Sequence, residues 1–261
     1  MRVALFSTCI GDALFPDAHK ASALVLSRLG YEVVFPEGQT CCGQMHVNTG
    51  YQKQAVPIIE SYVDAFADPS IDYVVAPSGS CAGAVREQHV SIADRYGNAA
   101  LVDGAKQAAK KTYELSEFII DVAGTEDVGA FFPHRVTYHE SCHSRRFLEV
   151  GERPYKLLRA VEGLELVELP NREECCGFGG TFALKMSEVS AAMVSDKARH
   201  IKDTKAEYVT AGDSSCLMNI AGAMSRQHTG VRALHMAEIL ASTKANPWTP
   251  ESAAYSKESM L

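Results

Sequence analysis

The chain has 261 residues, 46% of them hydrophobic, with 25 basic and 32 acidic side chains for a formal charge of −7. That length and apolar content build a full core without staples, and no Lys/Arg stripe is present to track a phosphate backbone, so nucleic acid is not an expected partner. No run reaches the roughly 18 apolar residues of a membrane span, and the apolar opening soon meets Asp12 and Pro16, too early for a signal peptide; the chain is expected in the cytoplasm.

Residues 3–7 form a continuous apolar run, which suits a strand buried on both faces of a parallel sheet. Cys9 follows at its carboxyl end. Ala21, Leu24, Val25 and Leu29 recur at helical spacing after Pro16, Gly30 stops that helix, and residues 31–35 restart a strand. The turn Cys41-Cys42-Gly43 comes next, then a helix from about Gly50 to Phe66 that must accommodate Pro57. A strand over 71–76 leads to Cys81 and a further helix to about Ala93.

The second half replays this order. A strand over 135–139 leads to Cys142, one over 164–169 precedes Cys175-Cys176-Gly177, and one over 208–210 precedes Cys216; the trailing segments 113–118 and 234–239 also agree. The expected fold is α/β, two similar parallel-sheet lobes related by internal duplication, spanning 1–122 and 131–243. Residues 122–133 are the linker candidate and 244–261 read as a loose tail. Every cysteine then falls on a loop after a strand, at the edge where open parallel sheets place their sites.

All eight cysteines belong to two sets of four: Cys9, Cys41, Cys42, Cys81 and Cys142, Cys175, Cys176, Cys216. The first gap is 31 residues in one set and 32 in the other, and the last is 38 and 39. Duplicated thiols at matched spacing point to one soft-ligand site per half. In a reducing compartment eight cysteines indicate metal or redox chemistry rather than a disulfide scaffold. Adjacent Cα atoms about 3.8 Å apart also make poor disulfides, whereas a metal accepts both thiolates if Gly43 and Gly177 let the backbone bend.

Four thiolates suit a closed zinc site or an iron-sulfur cluster. Zinc sites usually draw ligands as local pairs, whereas here they come from three remote segments, which favours the cluster and leaves zinc as the alternative. Backbone N–H groups after each Cys-Cys-Gly turn would offset the charge of the thiolates. His139, Glu140 and His143 surround Cys142, and His46 follows Gly43; of these, Glu140 and His143 are the candidates for groups supporting the metal ligands. Lys185, Lys197, Arg199 and Lys202 read as a solvated face. The glycines at 177, 179 and 180 match neither a dinucleotide fingerprint nor a P-loop.

With these motifs in place the chain resembles the tandem cysteine-rich CCG-domain family, which includes the cysteine-rich component of heterodisulfide reductase and the iron-sulfur components of glycolate oxidase and anaerobic glycerol-3-phosphate dehydrogenase. The resemblance lies in residues 35–44 and 77–81 of the first copy, and in 138–143, 174–180 and 215–219 of the second. Within that family this short chain, without a ferredoxin domain, is most similar to the iron-sulfur component of a three-protein L-lactate oxidation system. The resemblance therefore implies an iron-sulfur electron-transfer subunit of an L-lactate oxidising system, with a [4Fe–4S] cluster in each repeat and the other subunits of that complex as partners. Such a subunit is non-catalytic or partly catalytic within its oxidoreductase. Many family members carry a fifth thiol three residues before the last cysteine, where Ser78 and Asp213 stand here. Four thiols fit one ordinary [4Fe–4S] centre per half. The rival functions are a zinc-bound assembly protein and a heterodisulfide-reductase-like thiol/disulfide oxidoreductase.

Overall fold

Short apolar strands that alternate with helices along the chain pack as parallel sheets covered on both faces. The computed structural model describes residues 1–248. In the first half, β1 (Arg2–Leu5), β2 (Glu32–Val34), β3 (Tyr73–Ala76) and β4 (Thr112–Glu114) form an all-parallel sheet in the order β2-β1-β3-β4. In the second, β5 (Arg135–Tyr138), β6 (Glu165–Val167), β7 (Tyr208–Ala211) and β8 (Arg232–His235) repeat it as β6-β5-β7-β8. The registers match too: Val3 pairs with Val33 and Tyr73, and Val136 with Leu166 and Tyr208. The α/β duplication expected from the sequence is the observed architecture.

One strand of each repeat escapes the sequence reading. The trailing segments each contain a fourth strand, only three or four residues long, too brief for any period to show. Glu114 ends β4 and caps the helix Leu115–Glu117, while His235 ends β8 and caps Met236–Ala241, each in turn donating its own N–H to the glutamate three residues on. The helix expected from Gly50 instead begins as a short turn at Lys53–Ala55 and continues as Val56–Ala65. Pro57 thus falls in the first helical turn, where its missing N–H costs nothing.

The two sheets share one core. Val3, Leu5, Val25 and Leu26 pack in the same buried cluster as Val136, Tyr138, Leu158, Ile239 and Leu240. Helix Pro16–Arg28 lies against Met236–Ala241, and the Arg28 guanidinium donates to the carbonyls of Val128, Leu240 and Ala241 at 3.0, 3.0 and 2.6 Å, satisfying groups that a helix end leaves orphaned. The stretch read as a linker is part of this core, because Val128, Ala130 and Phe132 alternate inward and are buried. Residues 244–248 fold back, with Trp248 Nε1 donating to Glu238 Oε2 at 3.0 Å; the remainder of the segment read as a tail lies outside the described residues. Among those residues no helix is long and apolar enough to cross a membrane.

The His235 cap carries a pH prediction. Its Nδ1 accepts the Ala237 N–H at 3.1 Å, which only the neutral ring can do, and burial pushes its pKa down to about 4. An unfolded histidine titrates near 6.5, so the cap's contribution is complete above that pH and is lost as pH falls through 4. Replacing His235 by Asn, a non-titrating cap, should shrink the stability difference between pH 7 and pH 4.5 by about 2 to 3 kcal/mol. Urea unfolding of both proteins at the two pH values measures it.

Candidate metal centres

The first quartet is built at the carboxyl edge of its sheet. Cys9 opens the helix Cys9–Leu14 directly after β1, and Cys81 is the third residue of the helix Gly79–Gly83 after β3. The expectation that every cysteine sits on a loop is corrected here: the strand turns into a helix so soon that the outer two thiols ride on first helical turns. Ser78 makes that turn possible at Cys81, its hydroxyl accepting the Cys81 N–H at 3.3 Å. Only Cys41 and Cys42 lie in irregular chain, bent by Gly43 at φ 78°.

The sulfurs gather closely. Cys9 Sγ lies 3.7 Å from Cys41 Sγ, and Cys42 is within hydrogen-bond reach of both Cys41 and Cys81. The Gly43 N–H donates to Cys41 Sγ at 3.4 Å, and His89 Nε2 sits 2.8 Å from the Cys42 carbonyl oxygen, pinning the turn from the helical side.

The second quartet has the same construction. Cys142 opens Cys142–Arg146, and Cys216 is third in Ser214–Arg226. Cys175 is within reach of Cys142 and Cys176, and Cys176 of Cys216. The Gly177 N–H donates to Cys175 Sγ at 3.4 Å, and Asn219 Nδ2 donates to the Cys176 carbonyl at 2.8 Å. Gly177 has φ 80°, and a Cβ there would come within 2.8 Å of the Ser190 carbonyl oxygen, so the turn excludes any side chain.

Crowding decides the protonation of the sulfurs. Hydrogen bonds from Cys42 and Cys9 hold the Cys41 thiol far below its ordinary range, and those from Cys142 and Cys176 do the same for Cys175. The partners that donate, Cys9, Cys42, Cys142 and Cys176, are pushed up. Negative charge therefore gathers on Cys41 and Cys175, while burial and repulsion oppose it on the donating sulfurs. A metal reverses this balance by taking every sulfur as thiolate. An all-sulfur donor set fits a soft or borderline metal and excludes calcium and magnesium.

The quartets face each other across the seam between the repeats. The helix carrying Cys81 packs on the one carrying Cys142, and that carrying Cys9 on the one carrying Cys216. At the first contact a Cβ on Gly79 would overlap the Ser144 hydroxyl. Ser78 and Asp213, the pair in place of fifth thiols, bond to one another: Ser78 Oγ donates to Asp213 Oδ1 at 2.6 Å, and Ser80 donates to it through its N–H at 3.2 Å and its hydroxyl at 2.7 Å. A narrow cleft over the first quartet is closed from the other repeat by Phe178, Ser214 and Ser215.

The two expected supporting residues part company. His143 stays at the seam, with Nδ1 3.5 Å from Cys142 Sγ and Nε2 2.9 Å from the Gln44 amide nitrogen beside the first quartet. Glu140 instead accepts the Tyr155 hydroxyl at 2.9 Å and pairs with Arg172 at 3.3 Å and Arg145 at 3.7 Å. Lys197 is a correction. It is fully buried, its ammonium donates to the Asn171 carbonyl at 2.8 Å, and it interacts electrostatically with Cys175 and Cys176. The signal is present in the sequence, since Lys197 falls on the apolar stripe Val194, Ala198, Ile201 of helix Ser187–Asp203.

His139 is closer to the sulfurs than the sequence suggests. It is 1% exposed, and a ring nitrogen lies within 4.8 Å of the sulfurs of both Cys176 and Cys216. Neither ring nitrogen has a hydrogen-bond partner. Burial, reinforced by the Lys197 charge, lowers its pKa to about 3, so the ring is neutral.

A family model, the cysteine-rich domain CCG, matches residues 3–86 and again 136–221. Lactate utilization protein A of Oceanobacillus iheyensis is 46% identical over 241 residues, covering 92% of this chain and 96% of that protein. The protein of the same name from Bacillus subtilis is 45% identical over 240 residues, covering 92% and 99%. Among solved structures, a hypothetical protein from Helicobacter pylori is similar with a TM-score of 0.60 at 9% identity, a likeness of fold alone; it covers 92% of this chain, which spans about half (48%) of that one.

Proposed function

This chain belongs to the cysteine-rich CCG-domain family, together with the lactate utilization protein A relatives, and from that premise we propose that it is a cytoplasmic iron-sulfur electron-transfer subunit of an L-lactate oxidising system. Each repeat, 1–122 and 131–243, holds one [4Fe–4S] cluster: Cys9, Cys41, Cys42 and Cys81 in the first, Cys142, Cys175, Cys176 and Cys216 in the second. The observation that carries this reading is the gathering, twice, of four sulfurs from three remote chain segments, each with a glycine N–H donated to the central thiolate. Such clusters, when bound, supply one-electron chemistry.

The chain's own groups tune and shield that chemistry. The Gly43 and Gly177 amides and the buried Lys197 ammonium offset thiolate charge, which favours the reduced state. Among the described residues no side chain near either quartet is placed to take part in hydride transfer, and the oxidation of lactate itself falls to partner subunits. The Ser78–Asp213 hydrogen bond occupies both positions where a fifth thiol would stand, which supports four-thiol centres over the disulfide-cleaving alternative.

One distance favours a second reading. Tetrahedral zinc with 2.3 Å bonds brings its sulfurs to ~3.8 Å, and Cys9 and Cys41 are 3.7 Å apart. Metal and sulfide analysis of anaerobically purified protein, with its visible spectrum, separates the two. The expected result is about eight irons and eight sulfides per chain and a brown absorption that bleaches on reduction; colourless protein holding about two zinc ions overturns the cluster reading.

A further inference from the structure

One of the buried differences between the two centres lies at the end of the first strand of each repeat. Phe6 and His139 are structural equivalents, each following its first strand and donating its N–H to the neighbouring strand, Phe6 to the Val75 carbonyl at 2.9 Å and His139 to that of Thr210 at 2.8 Å. Phe6 packs edge-on against Tyr62 and Phe66 at 5.0 and 5.7 Å and has no polar atom to offer. His139 puts an imidazole in that place, and its ring nitrogen shares a 4.8 Å neighbourhood with Cys176 and Cys216 Sγ.

Both of its nitrogens are buried without a partner. A neutral imidazole left unsatisfied in a low-dielectric interior costs about 1 to 3 kcal/mol per polar atom, and a histidine kept in such a place calls for something to bond. Asp213 accepts from Ser78 and Ser80, and the Ser141 hydroxyl donates to Cys216 Sγ at 3.8 Å; the Thr210 hydroxyl, like the ring, is buried without a partner and does not bond to it. A metal held by the sulfurs it faces would lie within its reach.

We propose that His139 is a nitrogen ligand of the second metal centre, taking the place of one of its four thiolates beside Cys176 and Cys216, so that the first repeat holds an all-thiolate centre and the second a mixed nitrogen and sulfur one. The inference rests on the reading of the quartets as metal centres. Its consequence is electronic: a neutral imidazole donor adds no negative charge, and histidine ligation raises the potential of iron-sulfur centres. The second centre is then the better electron acceptor, and the duplicated fold becomes a directional pair, with His143 and Gln44 in contact across the seam between them.

The test is pulsed EPR on reduced, anaerobically purified protein labelled with nitrogen-15 histidine. Wild type should show one strongly coupled histidine nitrogen on one of two cluster signals. His139→Phe, which copies the first repeat, should lose that coupling and lower the potential of the same centre, leaving the other signal unchanged. His143→Gln should keep the coupling, which separates the two neighbouring rings and decides the matter if His139→Phe does not fold. Absence of strong coupling in wild type, or its survival in His139→Phe, overturns the proposal. Should the protein carry zinc and no iron, the cluster reading fails separately, and zinc-edge X-ray absorption takes over: imidazole back-scattering that disappears in His139→Phe supports the ligand, and a purely sulfur shell overturns it.

Discussion

Replacing Cys41 by Ser should halve the metal content of the purified protein without unfolding it. Cys41 is the sulfur toward which Cys9 and Cys42 direct hydrogen bonds, and the one that receives the Gly43 N–H. A serine hydroxyl keeps its proton at neutral pH and is a poor ligand for a soft metal, so the first centre is lost. The second should persist, because none of its four sulfurs comes from the first repeat. Cys41→Ser with Cys175→Ser should abolish binding altogether. Small metal domains often unfold without their metal, but here the shared core of Val3, Leu5, Val136 and Leu240 lies apart from the sulfurs, so circular dichroism should report a folded chain in each variant. Loss of all metal from the single variant would mean one shared centre rather than two.

The quartets are legible in the sequence because a spacing that recurs is a long-range signal written in one dimension. Strand and helix order is legible for the same reason as in any parallel α/β fold: buried strands are continuous apolar runs, and Gly30 punctuates them. The misses have physical causes. β4 and β8 are too short to show a period, and their capping boxes use Glu114 and His235 rather than the commoner serine or threonine. Charge alone puts Lys197 on the surface, whereas its place on the stripe of Val194 and Ile201 is what decides its burial. The bond between Ser78 and Asp213 has no local trace at all, since 135 residues separate them and only the docking of the repeats brings them together. Along the chain they are two missing thiols; in the fold they are partners.

That pairing makes Asp213→Ala the most damaging polar substitution expected in the molecule. The carboxylate is fully buried and accepts from the Ser78 hydroxyl, the Ser80 hydroxyl and the Ser80 N–H, at 2.6, 2.7 and 3.2 Å. Hydrogen bonds to a charged acceptor are worth about 1.5 to 3 kcal/mol each, and the buried Ser78 hydroxyl left behind has Ser80 Oγ, 3.1 Å away, as its remaining side-chain partner. Non-additivity within one network holds the sum to about 3 to 5 kcal/mol, which lowers the melting temperature of a chain this size by roughly 10 °C. Ser78→Ala removes its bond to Asp213 and its cap on the Cys81 N–H but leaves the two bonds from Ser80, and should cost only about 2 to 3 kcal/mol. Position makes the effect more than a loss of stability. Ser78 caps the helix that carries Cys81, Asp213 precedes the helix that carries Cys216, and their bond fixes the seam on which both quartets stand. Asp213→Ala should therefore perturb the spectra of both centres, whereas Cys41→Ser touches one. Thermal unfolding followed by circular dichroism, with EPR of the same samples, checks both; a variant that melts like wild type or alters a single centre would show that the seam does not depend on this pair.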